Sequence, residues 1–304
     1  MGAADVVPGV SGGTIAFISG IYEELLNSLR CWTPSALLIW KRHGFAAFWK
    51  HVNGAFLLVL FSGVLISIFS LATLVTHALE VYPLLVWGFF FGLVMASAVY
   101  IGRGLSLKAL DVWIALLLGT LAALLVSFAK PVELPATWWM VYFAGSIAIC
   151  AMILPGISGS FLLLLMGMYP VFIRAVAELN WWVLGFFAAG CVTGLLLFSH
   201  FLSWLLREFP QRTLAVLTGF LVGSLNVIWP WKQTLETYID RHGEAVPLVQ
   251  ENVVPWQYAV ETGEPSRWLA VVLMMMVGLL IVFGLEFWAS RQPLKAIEPE
   301  EETR

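Results

Sequence analysis

Two short segments of this chain carry the same helix-breaking pattern of Pro, Gly and Ser inside apolar sequence. The first reads VPGVSGGT at positions 7–14, and the second reads LPGISGSF at positions 154–161. Proline lacks a backbone N–H and glycine adopts backbone angles that other residues avoid, so each pattern ends an incoming helix. Ser11 and Ser158 then stand where a serine can cap an outgoing helix. Because the free N–H groups at a helix start favour an anion, the pattern suits a phosphate or carboxylate.

The candidate substrate-binding residues are the glycines and hydroxyl residues of these two segments: Gly9, Ser11, Gly12, Gly13, Thr14, Gly156, Ser158, Gly159 and Ser160. The glycines let another group approach the backbone closely, and the hydroxyls add donors. The first segment does not match a nucleotide-binding P-loop, because Thr14 and not Lys follows its glycines. The alternative is that both segments are kinks that serve packing.

Four charged residues near the two segments are further candidates for the site. Asp5 is the carboxylate near the first segment, and Met152 holds the corresponding place in the second. An acid beside an anion site repels the anion unless it is protonated or paired, so Asp5 is a candidate for coupling to protons or cations; a polar residue in a wet cavity is the alternative. Glu23 and Arg174 stand near opposite membrane faces, as gates for an anionic headgroup or as interfacial anchors. Arg103 ends an apolar segment, where it sets topology or binds a headgroup.

The composition indicates that membrane helices position these residues. Of the 304 residues, 60% are hydrophobic and 12% are charged, whereas about 25% of a soluble domain is charged. The sequence has no basic patch with interleaved aromatics, which argues against nucleic-acid binding. The three cysteines lack CxxC spacing and no His pair has metal-ligand spacing, so we expect no disulfide framework, metal or cofactor. The start does not have the form of a signal peptide.

Apolar segments of spanning length recur along the whole chain. A spanning helix needs about 20 apolar residues. Six segments meet this requirement: 54–77, 83–101, 109–128, 182–205, 213–230 and 267–289. Two further apolar stretches, 1–29 and 137–177, contain the Pro-Gly pattern, and we interpret them as re-entrant helical hairpins. Because an open sheet cannot satisfy its backbone in lipid, we predict an all-α polytopic membrane protein.

The two halves of the chain align as repeats within a single membrane domain, 1–304. Placing Pro8 on Pro155 also superposes the glycines, the serines and a later tyrosine, and placing Pro83 on Pro210 superposes the later Gly-Ser positions. Repeat 1 covers 1–128 and repeat 2 covers 137–289, followed by a tail at 290–304. Each repeat is one re-entrant hairpin and three spans.

Three is an odd number of spans, so the second repeat is inverted relative to the first. Inverted-topology repeats are common in secondary transporters, whose substrate site lies near mid-membrane and is built from broken helices. Lys and Arg concentrate in 30–53, 102–108, 206–212 and the tail, which places these regions in the cytoplasm. The first hairpin then opens to the cytoplasm and the second to the exterior.

The segments GAADVVPGVSGGTIAFISGIYEEL and LPGISGSFLLLLMGMY resemble the bacterial polyprenyl-phosphate (undecaprenyl-phosphate) translocase family, formerly a membrane domain of unknown function. The resemblance implies a multi-pass lipid flippase of the plasma membrane. It would move undecaprenyl phosphate from the outer to the inner leaflet, so that the carrier is recycled for cell-envelope polymers. The carried-over positions are Asp5, Pro8, Gly9, Ser11, Gly12, Gly13, Thr14, Glu23, Pro155, Gly156, Ser158, Gly159, Ser160 and Tyr169. The family also has a helical limb upstream of the first pattern, so we expect hairpin 1 to be incomplete in this sequence.

Two other functions fit the same residues. A secondary transporter of a small soluble anion would use the broken helices in the same way. A rhomboid-like intramembrane serine protease would use the G-x-S-G sequence around Ser11 or Ser158, and such an enzyme needs a histidine such as His200 to activate the serine. A protease has no need of two inverted copies, so we expect a transporter and not an enzyme.

Overall fold

Helices account for most of the chain that the computed structural model describes, which comprises residues 1–5, 11–106, 108–129, 131–132, 134–239 and 245–291. The helices of the first half are α1 (Gly2–Asp5), α2 (Gly12–Ile18), α3 (Tyr22–Arg30), α4 (Pro34–His51), α5 (Gly54–Val81), α6 (Pro83–Arg103) and α7 (Leu110–Ser127). The second half contains α8 (Trp138–Ile153), α9 (Gly159–Leu165), α10 (Tyr169–Ala177), α11 (Trp181–Glu208), α12 (Pro210–Ser224), β1 (Lys232–Ile239), β2 (Ala245–Asn252), α13 (Pro255–Thr262) and α14 (Trp268–Arg291).

The apolar helices confirm the prediction of an all-α polytopic membrane protein. Within the described residues, four helices (α5, α6, α7 and α11) are long and apolar enough to cross a membrane, and α8 and α14 contain shorter apolar runs. Helices α9 and α10 form an apolar pair that bends by 106° at a short break. Helix α12 ends at Ser224 and is therefore shorter than the predicted span 213–230. Large exposed apolar side chains such as Phe69, Leu125 and Leu197 give α5, α7 and α11 outer faces suited to lipid.

The second span of each half packs against the third span of the other half. Helix α6, the second span of the first half, packs along α14, and its counterpart α12 packs along α7. A Cβ at Gly92 would overlap the Met275 carbonyl, and a Cβ at Gly219 would overlap the Leu116 carbonyl. Small residues let membrane helices approach this closely. These two glycines are the aligned pair of the sequence repeat, so the repeated sequence makes repeated contacts. This agreement supports the predicted repeat, whose inversion stays a prediction.

Two regions between the predicted spans contain secondary structure, and most of the predicted tail lies outside the described residues. The basic segment 30–53 contains helix α4, which kinks at Gly44 (φ 81°). The acidic loop 230–266 contains the antiparallel pair β1–β2, in which Lys232 pairs with Asn252, and the helix α13. Hydropathy detects long apolar runs, so it cannot find a short strand pair held by backbone bonds. Residues 292–304 of the predicted tail lie outside the described residues.

Candidate functional site

The described part of the hairpin 1 apex is closed by its own side chains. Ser11 precedes α2, where its Oγ accepts a hydrogen bond from the Gly13 N–H (3.1 Å). The carboxylate of Asp5, at the end of α1, accepts a hydrogen bond from the Gly12 N–H (2.6 Å). The first turn of α2 therefore already holds an anion from this chain. Pro8 and Gly9, which were predicted to belong to this apex, lie outside the described residues.

The hairpin 2 apex has the same order of elements but a different polar arrangement. Helix α8 ends at Ile153, and Gly156 then takes a positive φ of 84°, which only glycine adopts easily. Ser158 stands at the start of α9, but its side chain does not cap the helix. Its hydroxyl lies 2.9 Å from the hydroxyl of Ser160 instead. The predicted capping role is therefore met by Ser11 and not by Ser158.

The two apices meet inside the protein. The Gly156 N–H donates to Thr14 Oγ1 (3.0 Å), and the Ser11 hydroxyl donates to the Met152 carbonyl (2.9 Å). The Tyr22 hydroxyl adds a third bond, to the Ile153 carbonyl (3.0 Å). Thr14 is fully buried and Ser11 is 2% exposed, so these bonds form in a dry environment where they are strong. The structure thus brings together the motifs that the sequence predicted to face each other.

A small cavity lies against hairpin 2 beside this junction. It has a volume of about 10 Å³, which is room for about one water molecule. Residues 156–158 and Phe161 line it together with the C-terminal turns of α7 and α12. Its polar groups include the side chains of Ser158 and Ser224. A phosphate is larger than a water molecule, so the cavity in this structure is too small to hold one.

Glycines at both apices allow close packing at the junction. A Cβ at Gly13 would lie 2.6 Å from the Ile153 carbonyl oxygen, and one at Gly12 would overlap the Asp5 carboxylate. A Cβ at Gly159 would overlap the Ala148 carbonyl. Each of these three predicted residues is buried and serves a close contact within the protein. The contacts support a packing role for them, beside any role in binding.

The predicted charged residues stand apart from the junction. Glu23, Arg103 and Arg174 are all exposed, and other residues line the cavity. The Arg103 guanidinium lies 4.9 Å from the ring centre of Phe283 on α14, which is a cation–π contact. Of the candidate charges, the structure therefore places only Asp5 at an apex.

Sequence reasoning missed Ser224 as a cavity residue. Ser224 is 2% exposed, and its Oγ donates to the Leu221 carbonyl (2.8 Å). It aligns with Ser97 in the repeat, and Ser97 is fully buried in α6. The repeat of a buried serine on the second span of each half is the signal that could have identified it.

The groups that a serine protease would need are engaged elsewhere. The Ser11 hydroxyl bonds to Met152 and Gly13, and the Ser158 hydroxyl bonds to Ser160. His200 Nδ1 lies 2.8 Å from the Leu196 carbonyl of its own helix, and its side chain is exposed. These contacts give no support to a serine–histidine pair.

The chain matches a family model over residues 1–246, the VCA0040-like family, which is described as undecaprenyl phosphate translocase-like. This chain belongs to that family. It is 48% identical over 291 residues to the polyprenyl-phosphate transporter of Vibrio cholerae serotype O1, an alignment that covers 96% of this chain and 94% of the relative. It is 30% identical over 248 residues to the polyprenyl-phosphate transporter of Staphylococcus aureus, covering 76% of this chain and 83% of that one. No solved structure matches the chain.

Membership confirms the resemblance drawn from the two broken segments. The matched residues include both hairpin apices and every span up to α12, so the family description applies to the part of the chain that contains the cavity. Both relatives are named as transporters, which agrees with the expected class of function.

Proposed function

We propose that this protein transports a polyprenyl phosphate lipid carrier, undecaprenyl phosphate, across the bacterial plasma membrane. The phosphate headgroup passes the junction of the two hairpins while the isoprenoid tail stays in lipid. The names of both relatives and of the family support this substrate. The observation that carries the proposal is the buried polar junction, in which two broken hairpins from different halves of the chain bond to each other.

The proposed path uses hairpin 2 to hold the headgroup. Its backbone break and the hydroxyls of Ser158 and Ser224 offer polar groups at the cavity, and the Ser160 hydroxyl adjoins that of Ser158. A charged headgroup in hydrocarbon costs several kcal/mol without such partners. Donors to a charged phosphate contribute about 1.5–3 kcal/mol each, so a few of them lower the barrier substantially. Separation of α7 and α12 from hairpin 2 would admit the headgroup.

Hairpin 1 has a different task in this proposal. The Asp5 carboxylate accepts the hydrogen bond of the Gly12 N–H, and an incoming phosphate would compete with the carboxylate for that donor. Protonation of Asp5, or binding of a cation to it, would release the donor and remove the charge repulsion. Asp5 is therefore the proposed residue through which protons or cations couple to transport. Glu23, Arg103 and Arg174 are proposed as gates nearer the membrane faces.

Transport from the outer to the inner leaflet follows from the proposed orientation. The Lys and Arg of the basic segments support an orientation with hairpin 2 toward the exterior and the C-terminus in the cytoplasm. The cavity at hairpin 2 would then receive headgroups from the outer leaflet, and recycling of the carrier requires movement in this direction.

Leaflet-resolved transport in proteoliposomes tests the proposal. Labelled undecaprenyl phosphate is placed in one leaflet, and we expect the wild-type protein to equilibrate it much faster than empty vesicles do. Ser158→Leu should abolish this movement, because the larger apolar side chain fills the cavity and removes a donor. Ser70→Leu is the matched control, because Ser70 is exposed on α5, and we expect it to transport like the wild type.

The same vesicles distinguish the second candidate function. A secondary transporter of a soluble anion would accumulate phosphate or a small organic acid and leave the lipid in place. Uptake of a soluble anion without lipid movement would reject the lipid proposal in favour of that alternative. Loss of the Ser158→Leu protein from the membrane would assign Ser158 a structural role.

A further inference from the structure

A lysine beyond the end of α12 bonds to a residue that lines the cavity, and it was not among the predicted site residues. Lys232 begins β1, and its Nζ donates a hydrogen bond back to the Val227 carbonyl. The same nitrogen lies 4.6 Å from the ring centre of Trp87, on α6. Val227 also lines the cavity that contains Ser158 and Ser224. Val227 therefore connects the lysine amine to the proposed headgroup site.

Lys232 is a cation without a matching anion in the described part of the chain. The ion pair found among the described residues joins Arg212 to Asp111 (2.6 Å), and Lys232 takes no part in it. Its side chain is partly buried, and burial lowers the pKa of its amine to about 8. Buried charges are normally paired, whereas this ammonium has one carbonyl and one aromatic face for its three N–H groups. The remaining donors can serve an anion that arrives from outside.

Polar side chains follow or precede the cavity-lining residues Val126 and Val227 in the chain. The Asn226 amide donates to the Ser127 hydroxyl (2.9 Å) at the end of α7. The Asn252 amide donates to the Asn226 side-chain oxygen and to its carbonyl oxygen, both at 2.8 Å. Lys232 pairs with Asn252 in the β1–β2 ladder, so the cation stands beside this chain of amides. The region where α7 and α12 end, next to the cavity-lining residue Val227, is therefore polar.

The opposite end of the repeat offers a parallel. Arg103 ends α6 and lies over Phe283, just as Lys232 follows α12 and lies over Trp87. Helices α6 and α12 are counterparts in the repeat, and the charge pattern places their C-terminal ends on opposite membrane faces. In each half, a cation at or just beyond the end of the second span lies over an aromatic ring.

We propose that Lys232 is the residue that first binds the phosphate of the lipid at the exterior mouth of the cavity. The ligand class is a phosphate monoester on a lipid, and the inference rests on the proposed function. The flexible lysine stem lets the ammonium turn from Val227 toward a headgroup, while Trp87 presents an aromatic surface beside it. A role limited to bonding the Val227 carbonyl would need only one N–H group, which a neutral side chain of similar length could supply.

Initial rates from the outer leaflet test this inference. In Lys232→Gln we expect the KM for outer-leaflet undecaprenyl phosphate to rise about tenfold or more, since a bond to a charged partner is lost, with little change in kcat. Lys232→Arg should retain most of the affinity. Arg267→Gln is the matched control, because Arg267 is an exposed cation of the same exterior loop, and its KM should not change. An unchanged KM in Lys232→Gln, with normal wild-type transport, would overturn the inference and leave the proposed function standing.

A measurement on the wild-type protein covers the case in which the variants fail to fold. Acylation of the Lys232 amine is followed by mass spectrometry with undecaprenyl phosphate, undecaprenol or inorganic phosphate present. We expect the phosphorylated lipid to slow acylation severalfold and undecaprenol to have no effect. Protection by inorganic phosphate but not by the lipid would show a free-phosphate site and reject the proposal. Equal acylation under all conditions would also reject it. Failure of the wild type to move the lipid at all would count against the proposed function instead.

Discussion

The two hairpin apices share a sequence pattern but present their polar groups differently. At hairpin 1, the side chains of Asp5 and Ser11 accept hydrogen bonds from the N–H groups of Gly12 and Gly13. These two N–H groups at the start of α2 therefore already have partners within the protein. At hairpin 2, Ser158 does not cap α9, and its hydroxyl lies beside a cavity. One sequence difference between the apices is that Met152 stands where the first repeat has Asp5.

In the proposed function, this difference corresponds to a division of roles between two similar elements. A carboxylate on the first apex repels an anion until it is neutralised or displaced, which suits a control element. Hydroxyls beside a cavity on the second apex suit a binding element. An inverted repeat can therefore contain two copies of one motif without containing two equal sites.

Gly156→Val should have the largest effect, because it breaks the junction that both apices share. Gly156 has a positive φ, and an added Cβ would lie 2.9 Å from the Phe220 carbonyl oxygen. We expect about 3 kcal/mol or more of destabilisation from the backbone strain and the overlap together. Thermal unfolding of the purified protein measures it. The control is Gly20→Ala, at a second positive φ where a Cβ would meet open space, for which a loss of about 1 kcal/mol is expected. Equal losses in the two variants would show that the junction is not tightly packed.

Met152→Asp should make hairpin 2 resemble hairpin 1. Met152 is 41% exposed, and its side chain lies next to Gly159. An aspartate there can accept from the first N–H groups of α9, as Asp5 does in α2, and it would repel a phosphate. We expect transport to fall by at least about tenfold, the effect of about 1.4 kcal/mol, while folding is retained. Met152→Leu is the control for the loss of the methionine. Full activity of Met152→Asp would mean that the headgroup does not approach this apex.

Ser11→Ala should mainly reduce stability, whereas Ser158→Ala should mainly reduce the rate of lipid transport. Ser11 caps α2 and also donates to Met152, so its removal should cost about 1–2 kcal/mol of stability. Ser158 makes one hydrogen bond to another hydroxyl, so its removal should affect stability little and reduce the rate of lipid transport severalfold. Denaturation and transport assays on both variants give the comparison. If the two variants lose stability and activity in the same proportion, the apices do not differ in role.

Much of the architecture could be predicted from the sequence because length and hydropathy determine where a membrane helix can form. The spans around α5, α6, α7 and α11 follow from apolar runs of about 20 residues. Helix α4 was not predicted, because its basic residues and Gly44 interrupt the apolar run. The strands β1 and β2 are too short for hydropathy to detect, and their pairing depends on a chain reversal.

The meeting of the two apices could be predicted from the repeat, but their difference could not. The sequence aligns Asp5 with Met152, but it does not reveal that the Asp5 carboxylate bonds to the Gly12 N–H. Lys232 escaped notice because it belongs to a mostly acidic loop, and its position over Trp87 depends on how the loop returns to α6. Tertiary contacts of this kind leave no periodic pattern along the chain.

The most direct test of the division of roles is a structure of the protein with undecaprenyl phosphate bound. We expect the phosphate within hydrogen-bond distance of the hydroxyl of Ser158 or Ser224, with α7 or α12 displaced so that the cavity is larger. Asp5 should still be bonded to Gly12 in this complex. A phosphate bound at the start of α2, with Asp5 displaced and Ser158 and Ser224 uninvolved, would contradict it.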